Sequence, residues 1–270
     1  MVTIHIPQTS AVGRIHPADE VGQPTRVTVL YDNIVDESML SMLLADSDYP
    51  IGNLVEEDRN TTNRTSGLIS YDTWEIDLGS GNTEEYDTIA IAGSNLSSDA
   101  LIKVGRGNSD PPTLATIGVS GEYFIHYWDA PSTERYVHFF ASEDTSDGYI
   151  EMGLMFVGKR VQLDTNPQIP IKIIDKKSTT MLQTGGGQIW SYEDYNSRGY
   201  EMKFIVDHFP ESYWDVVQLF QSRGYEKPFF FHLAPQDPND SVFLAHTEKF
   251  SFSIDGKDAR PGTWVVEEEL

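Results

Sequence analysis

The chain of 270 residues contains no cysteine. That absence excludes a disulfide framework, a thiolate metal centre, an iron–sulfur cluster and a cysteine nucleophile. Positive charge is scarce. Nineteen Lys and Arg stand against 42 Asp and Glu, a formal net charge of −23. A phosphate backbone is gripped by clustered Lys and Arg, so nucleic acid is not an expected ligand. Both parts of the chain are acidic. Residues 1–160 hold 25 acids and 9 bases, and residues 161–270 hold 17 acids and 10 bases, so no basic arm is hidden in either. No apolar run approaches the ~20 residues that span a bilayer, and no membrane insertion is expected. Met1–Ser10 shows no basic segment running into an apolar one, so a secretory signal is not expected there and synthesis in a cytoplasm is. Also missing are G-x-S-x-G, a P-loop, and G-x-G-x-x-G after a strand. No catalytic residue and no cofactor is therefore assigned, and the chain is not expected to be an enzyme.

What is present is apolar and aromatic. Hydrophobic residues make up 39% of the chain, with 13 Phe, 13 Tyr and 5 Trp, enough to build a substantial core. Residues 1–25 are rich in Pro, Gly and His and predict an irregular arm. Thr25–Tyr31 is a β-branched strand candidate, and Asp36–Leu44 predicts one or two helical turns begun by Asp36. From Tyr71 the pattern alternates: Tyr71–Gly79, Tyr86–Ala92, Leu101–Val104, Gly121–Trp128, Arg135–Ala141 and Tyr149–Val157 each read as strands, with turns between. Gly105-Arg106-Gly107-Asn108 reads as the turn closing the third. Strands at this spacing predict an antiparallel sandwich over 26–162.

Leu163–Pro170, with two prolines, predicts a linker. Beyond it Ile171–Ile174, Tyr200–Val206, Pro228–Leu233, Ser241–Ala245, Lys249–Ile254 and Thr263–Glu268 read as strands. Pro210–Arg223 is the strongest helix in the chain. Proline suits its first turn, Glu211 its positive end and Gly224 its stop. The fold class expected is mainly β: a jelly-roll sandwich, then a second β-sandwich over 171–270 flanked by one helix at 211–223.

Two stretches carry a family resemblance. Arg64-Thr65-Ser66, then Trp74-Glu75-Ile76-Asp77-Leu78-Gly79, Ile89–Leu96, Arg135–Phe139 and Asp147-Gly148-Tyr149-Ile150-Glu151-Met152-Gly153 follow the order of a discoidin-like, galactose-binding-like jelly roll. The last of these stretches also resembles sandwich domains of structural proteins of tailed bacteriophages. In the C-terminal part, Gly185-Gly186-Gly187-Gln188, the strand Tyr200–Val206, the helix, Pro228–Leu233 and the terminal Trp264-Val265-Val266-Glu267-Glu268 resemble tail-tube-like domains of tail-tip proteins such as the distal tail protein. Those proteins usually place that domain first, whereas here it comes last.

The resemblance implies a minor structural protein of the virion, in the tail tip, baseplate or neck. It implies a ring made with copies of itself, a hexamer among the orders left open, together with other tail proteins, and DNA only as passing cargo. The outer sandwich would serve as an adaptor or a weak binder of a host-surface glycan. The alternative is a free carbohydrate-binding module or adhesin that forms no ring.

Candidate sites follow from residue chemistry. Tyr71, Trp74, Tyr127 and Trp128, with Tyr123 nearby, carry rings beside polar groups and are candidate glycan contacts, weighed against core packing. Asp144 and Asp147, in an acidic turn, are candidate calcium ligands, since discoidin-like domains often carry such an ion and calcium prefers oxygen. Trp214, Phe220, Phe229 and Phe231 are expected in a core around the helix or in a subunit interface. The seven histidines, at 5, 16, 126, 138, 208, 232 and 246, show no ligand spacing, so His126 and His138 are expected to be structural.

Overall fold

The computed structural model describes residues 26–56, 61–66, 71–97, 99–117, 123–143, 148–163, 166–183, 189–206, 218, 220–222, 227–233, 242–252 and 260–268. In chain order the strands are β1 (Thr28–Leu30), β2 (Leu40–Met42), β3 (Asn63–Arg64), β4 (Tyr71–Asp77), β5 (Tyr86–Ala92), β6 (Leu101–Gly107), β7 (Ala115–Ile117), β8 (Phe124–Ser132), β9 (Tyr136–Ser142), β10 (Glu151–Met152), β11 (Leu154–Gly158) and β12 (Arg160–Gln162). They continue as β13 (Lys172–Gln183), β14 (Ile189–Val206), β15 (Phe229–His232), β16 (Val242–Phe252) and β17 (Arg260–Glu268). The chain is mainly β and antiparallel, as the alternation predicts. It divides into two units, residues 1–162 with 229–243, and residues 163–228 with 244–270.

The first unit is a sandwich. A five-stranded sheet, β2-β4-β9-β6-β7, packs on a three-stranded sheet, β11-β5-β8. Period-2 alternation explains why. Asp72, Trp74 and Ile76 of β4 point inward and Tyr71, Thr73, Glu75 and Asp77 outward. Trp74, Ile76, Ile102, Val104, Val137 and Phe139 of the larger sheet meet Ile89, Ile91, Phe124, Met155 and Val157 of the smaller in one core. Each fully buried side chain of this kind contributes roughly 1.5–3 kcal/mol before entropy.

The smaller sheet is buried on its other face too, and β5 is buried along its whole length. The cover comes from β1, which pairs with β12 on one edge and with β15 on the other. Phe230 of β15 packs edge-on against Phe156 of β11, and His232 stacks on Tyr127 of β8. The 228–233 strand, expected in the C-terminal unit, is thus a partner of Thr28–Leu30. Its three buried phenylalanines suit any apolar core, and the long-range pairing and the contact of the buried His232 with Tyr127 set its place.

Local differences have local causes. Asp36 caps a single 3-10 turn, Glu37–Met39, through a 2.8 Å bond from the Ser38 amide, and the chain then enters β2. The expected strand over 149–157 is two strands broken at Gly153. β10 pairs with β3 and β11 with β5. β6 runs on through Gly105-Arg106-Gly107, paired with Tyr136–His138, so these residues are strand and not turn.

In the second unit, β17 pairs with β14, and β14 with the long β13. β13 and β14 run well beyond the short apolar segments that mark them in the sequence. β16 is one strand where two are expected, with a register shift between Thr247 and Lys249. Phe220, Phe250 and Trp264 form a cluster of edge-to-face rings. Of the expected helix, residues 218 and 220–222 are described and helical. The rest of it, with Trp214, lies outside the described residues, as do the arm 1–25 and Gly185–Gly187. In the expected linker, Leu163 is buried and the Gln168 amide donates to the Lys203 carbonyl, so its described residues are packed.

Candidate functional site

One end of the sandwich gathers three loops. The Ser66 amide donates to the Leu44 carbonyl, the Thr65 amide to the Ile150 carbonyl, and the Leu44 amide to Asp72 Oδ2. Asn95 ties in the third loop: its Nδ2 donates to the Tyr149 carbonyl and its Oδ1 accepts from the Glu151 amide. The same loop is held by a 2.7 Å bond from the Ser97 amide to Glu143. This is the end at which β4 begins and β9 finishes, because Tyr71 lies opposite Ser142.

Arg64 stands at the centre of this end. Its Cζ lies 3.8 Å from the centroid of the Tyr49 ring and 4.7 Å from that of Tyr149, both within cation–π range. Its Nε is 2.6 Å from Glu151 Oε2, directly across the β3–β10 pair. Burial alone would lower the guanidinium pKa, but the contact with Glu151 and its charge outweigh that and raise it, so the group stays charged. The side chain remains 25% exposed. Nε is paired with Glu151 by charge and proximity, although the contact lacks hydrogen-bond geometry. A guanidinium stacked between two rings and a quarter exposed keeps hydrogen-bond donors within reach of solvent.

The candidate glycan aromatics are divided by the fold. Tyr71 is 57% exposed at the head of β4, beside the loop end. Trp74 is fully buried in the core, and its Nε1 donates to Asn63 Oδ1 at 2.8 Å. Tyr127 is buried as well, its hydroxyl 2.6 Å from His232 Nδ1. Neither ring offers a face to a ligand, which corrects that expectation for both. Tyr123 is buried too. Trp128 is half-buried, packed on the core with the Arg106 guanidinium 5.0 Å from its centroid. Arg64 and Tyr149 stand in the sequence only within the discoidin-like stretches, and Tyr49 in none of them; no spacing joins the three, because Tyr49 lies fifteen residues before Arg64 and Tyr149 comes from the bend ahead of β10. Asp144 and Asp147 lie outside the described residues. Phe220, Phe229 and Phe231 are fully buried and belong to the cores of their units.

No family model and no curated protein matches the chain. Among solved structures it is similar to a Ruminococcus gnavus GH29 fucosidase in complex with fucose, at 19% identity over 49% of this chain and 27% of that one, with a TM-score of 0.39. It is similar to a Streptococcus pneumoniae fucose binding module, at 15% identity over 48% of this chain and 96% of that one, TM-score 0.37. It is similar too to the family 32 CBM from C. perfringens NanJ in complex with galactose, at 16% identity over 48% and 98%, TM-score 0.37. The chain spans about a quarter of the length of the fucosidase.

Proposed function

We propose that this protein is a non-catalytic structural component of a bacteriophage tail, at the tip, baseplate or neck, whose sandwich presents its loop end to a glycan of the host surface. Arg64 carries the glycan part of this reading. Vicinal sugar hydroxyls and sugar carboxylates are acceptors that a guanidinium fork meets with two parallel bonds. The exposed Tyr71 ring at the same end supplies the apolar face on which a pyranose stacks. Two features support the assembly part. One is the sequence resemblance to tail-tube-like domains. The other is β13, twelve residues long, whose far edge meets no strand among the described residues. Such an edge can accept a strand from a neighbouring copy.

The test is a glycan array probed with the full chain and with Arg64→Ala and Tyr71→Ala. Saturable binding to a restricted set of glycans is expected, weakened at least ~10-fold by either substitution, as loss of a charged hydrogen bond or an aromatic face implies. A flat array, or binding indifferent to both changes, rejects the glycan reading. Negative-stain microscopy of the same protein addresses assembly separately. Closed rings are expected, and a monomer at every concentration rejects the ring.

A further inference from the structure

Glu75, His138 and Gly105 stand side by side on the outer face of the five-stranded sheet. Glu75 of β4 lies directly opposite His138 of β9, which lies directly opposite Gly105 of β6. An outward-facing residue on such a sheet is ordinarily wet. His138 is only 2% exposed in its side chain, and the reason is Gly105. A Cβ built there would sit 2.4 Å from the Thr113 carbonyl oxygen. At Gly107, two residues on, it would sit 3.2 Å from Pro112. The two glycines let the 108–114 loop lie flat on the sheet, and Asn108 Oδ1 fastens it by accepting from the Arg135 amide. The loop carries Asp110 over the imidazole, with Oδ1 3.2 Å from His138 Nε2.

That contact lacks the geometry of a hydrogen bond. Nε2 of His138 is a buried nitrogen with no hydrogen-bond partner among the described residues, an arrangement that costs free energy unless something else satisfies it. Ligand atoms of Glu75, Asp110 and His138 lie within 4.8 Å of one another. We infer that these three residues form a site for a divalent transition-metal ion of the zinc type, with the His138 Nε2 lone pair and one oxygen each from Glu75 and Asp110 as ligands.

The dimensions agree with that assignment. Nitrogen and oxygen ligands about 2.0–2.2 Å from a tetrahedral zinc stand roughly 3.3–3.6 Å apart. The His138–Asp110 separation is already of that size. The wider separations need a shift of ~1 Å, within reach of a rotation of the Glu75 carboxylate. The donor set also selects the class of ion. An imidazole suits zinc, copper or nickel, and calcium prefers an all-oxygen shell. Half of the Asp110 side chain remains exposed, so the fourth position opens to solvent.

The test is calorimetric titration of the tag-free full chain with zinc chloride, in parallel with Asp110→Asn, Glu75→Gln and His138→Gln. One saturable site is expected, weakened at least ~10-fold by each carboxamide, at or above the loss caused by removing a mere supporting residue, and undisturbed by a tenfold excess of calcium. Both carboxylates are solvent-accessible at least in part, so these variants keep the test decisive even if His138→Gln does not fold. Absence of a saturable site overturns the assignment. So does displacement by calcium, an unchanged affinity in either carboxamide variant, or an unchanged affinity in a folded His138→Gln protein.

Discussion

The indole Nε1 of Trp74 donates to Oδ1 of Asn63 across 2.8 Å, and both residues are fully buried. Asn63 also donates through Nδ2 to the Tyr49 carbonyl. One amide therefore joins the core of the sandwich to the residue whose ring lies over Arg64.

Replacing Asn63 with Leu strands the indole N–H in an apolar core. An unpaired buried donor costs about 1–3 kcal/mol. Urea unfolding of the full chain, followed by tryptophan fluorescence, is expected to show that loss. Glycan binding through Arg64 should weaken with it, because Tyr49 loses its tether. An unchanged midpoint would mean that the bond contributes nothing.

Asp77 gives an acid-dependent prediction. Arg135 donates to its two oxygens through Nε and Nη2, each at 2.6 Å. Those bonds, aided by the Gly79 amide, hold the carboxyl down at about 2, against an ordinary value of 3.8. A lowered carboxyl pKa stabilises the fold above the ordinary value, and the contribution disappears as pH falls through about 2. The melting temperature of Asp77→Asn should therefore lie below that of the parent at pH 5, and the gap should close between about pH 4 and pH 2. A gap independent of pH would point to packing instead of charge.

His126 works in the opposite sense of charge. Burial, with help from the Arg106 cation, pushes its imidazole down to about 4 from 6.5. The neutral ring fits the fold, so the stabilisation is complete above pH 6.5 and drains as pH drops toward 4, where the unfolded chain takes up the proton first. His126→Gln should flatten the pH dependence of the melting temperature across that interval. A profile parallel to the parent would show that other groups set it.

At Gly158 a Cβ would stand 2.1 Å from the Asp32 carbonyl oxygen and 3.2 Å from Leu30. Backbone yields less readily than a side chain, so Gly158→Ala should destabilise by about 1–3 kcal/mol. Gly81 has nothing within 4 Å, and Gly81→Ala should stay within ~0.5 kcal/mol of the parent. Equal effects in the two proteins would refute the close-packing account.

The alternation of Tyr71–Asp77 made the sandwich readable, because a half-buried strand imprints a period of two on its own residues. The same alternation places Trp74 with Asp72 and Ile76, on the inner face. What misleads is its indole nitrogen, whose partner is a separate strand's Asn63. Tyr127 misleads for a more distant reason: the strand that covers it begins about a hundred residues later. Gly105-Arg106-Gly107 resembles a turn because glycines mark turns, but here they admit a loop from above. His138 has no ligand spacing in the sequence, and its two acidic neighbours come from β4 and from that loop. Pairings between remote segments leave no periodic trace, and the candidate sites consist of such pairings.

The placement of β1 between β12 and β15 bears on how the chain is made. The ribosome delivers Thr28–Leu30 first and Phe229–His232 some 200 residues afterwards. Between the emergence of β12 and that of β15 translation takes on the order of ten seconds. Throughout that interval Tyr127 lacks the His232 ring, Phe156 lacks the Phe230 ring, and the second edge of β1 is bare. The nascent sandwich is therefore an incomplete body that chaperones can engage. A gene cut after codon 162 would leave that vulnerable state permanent.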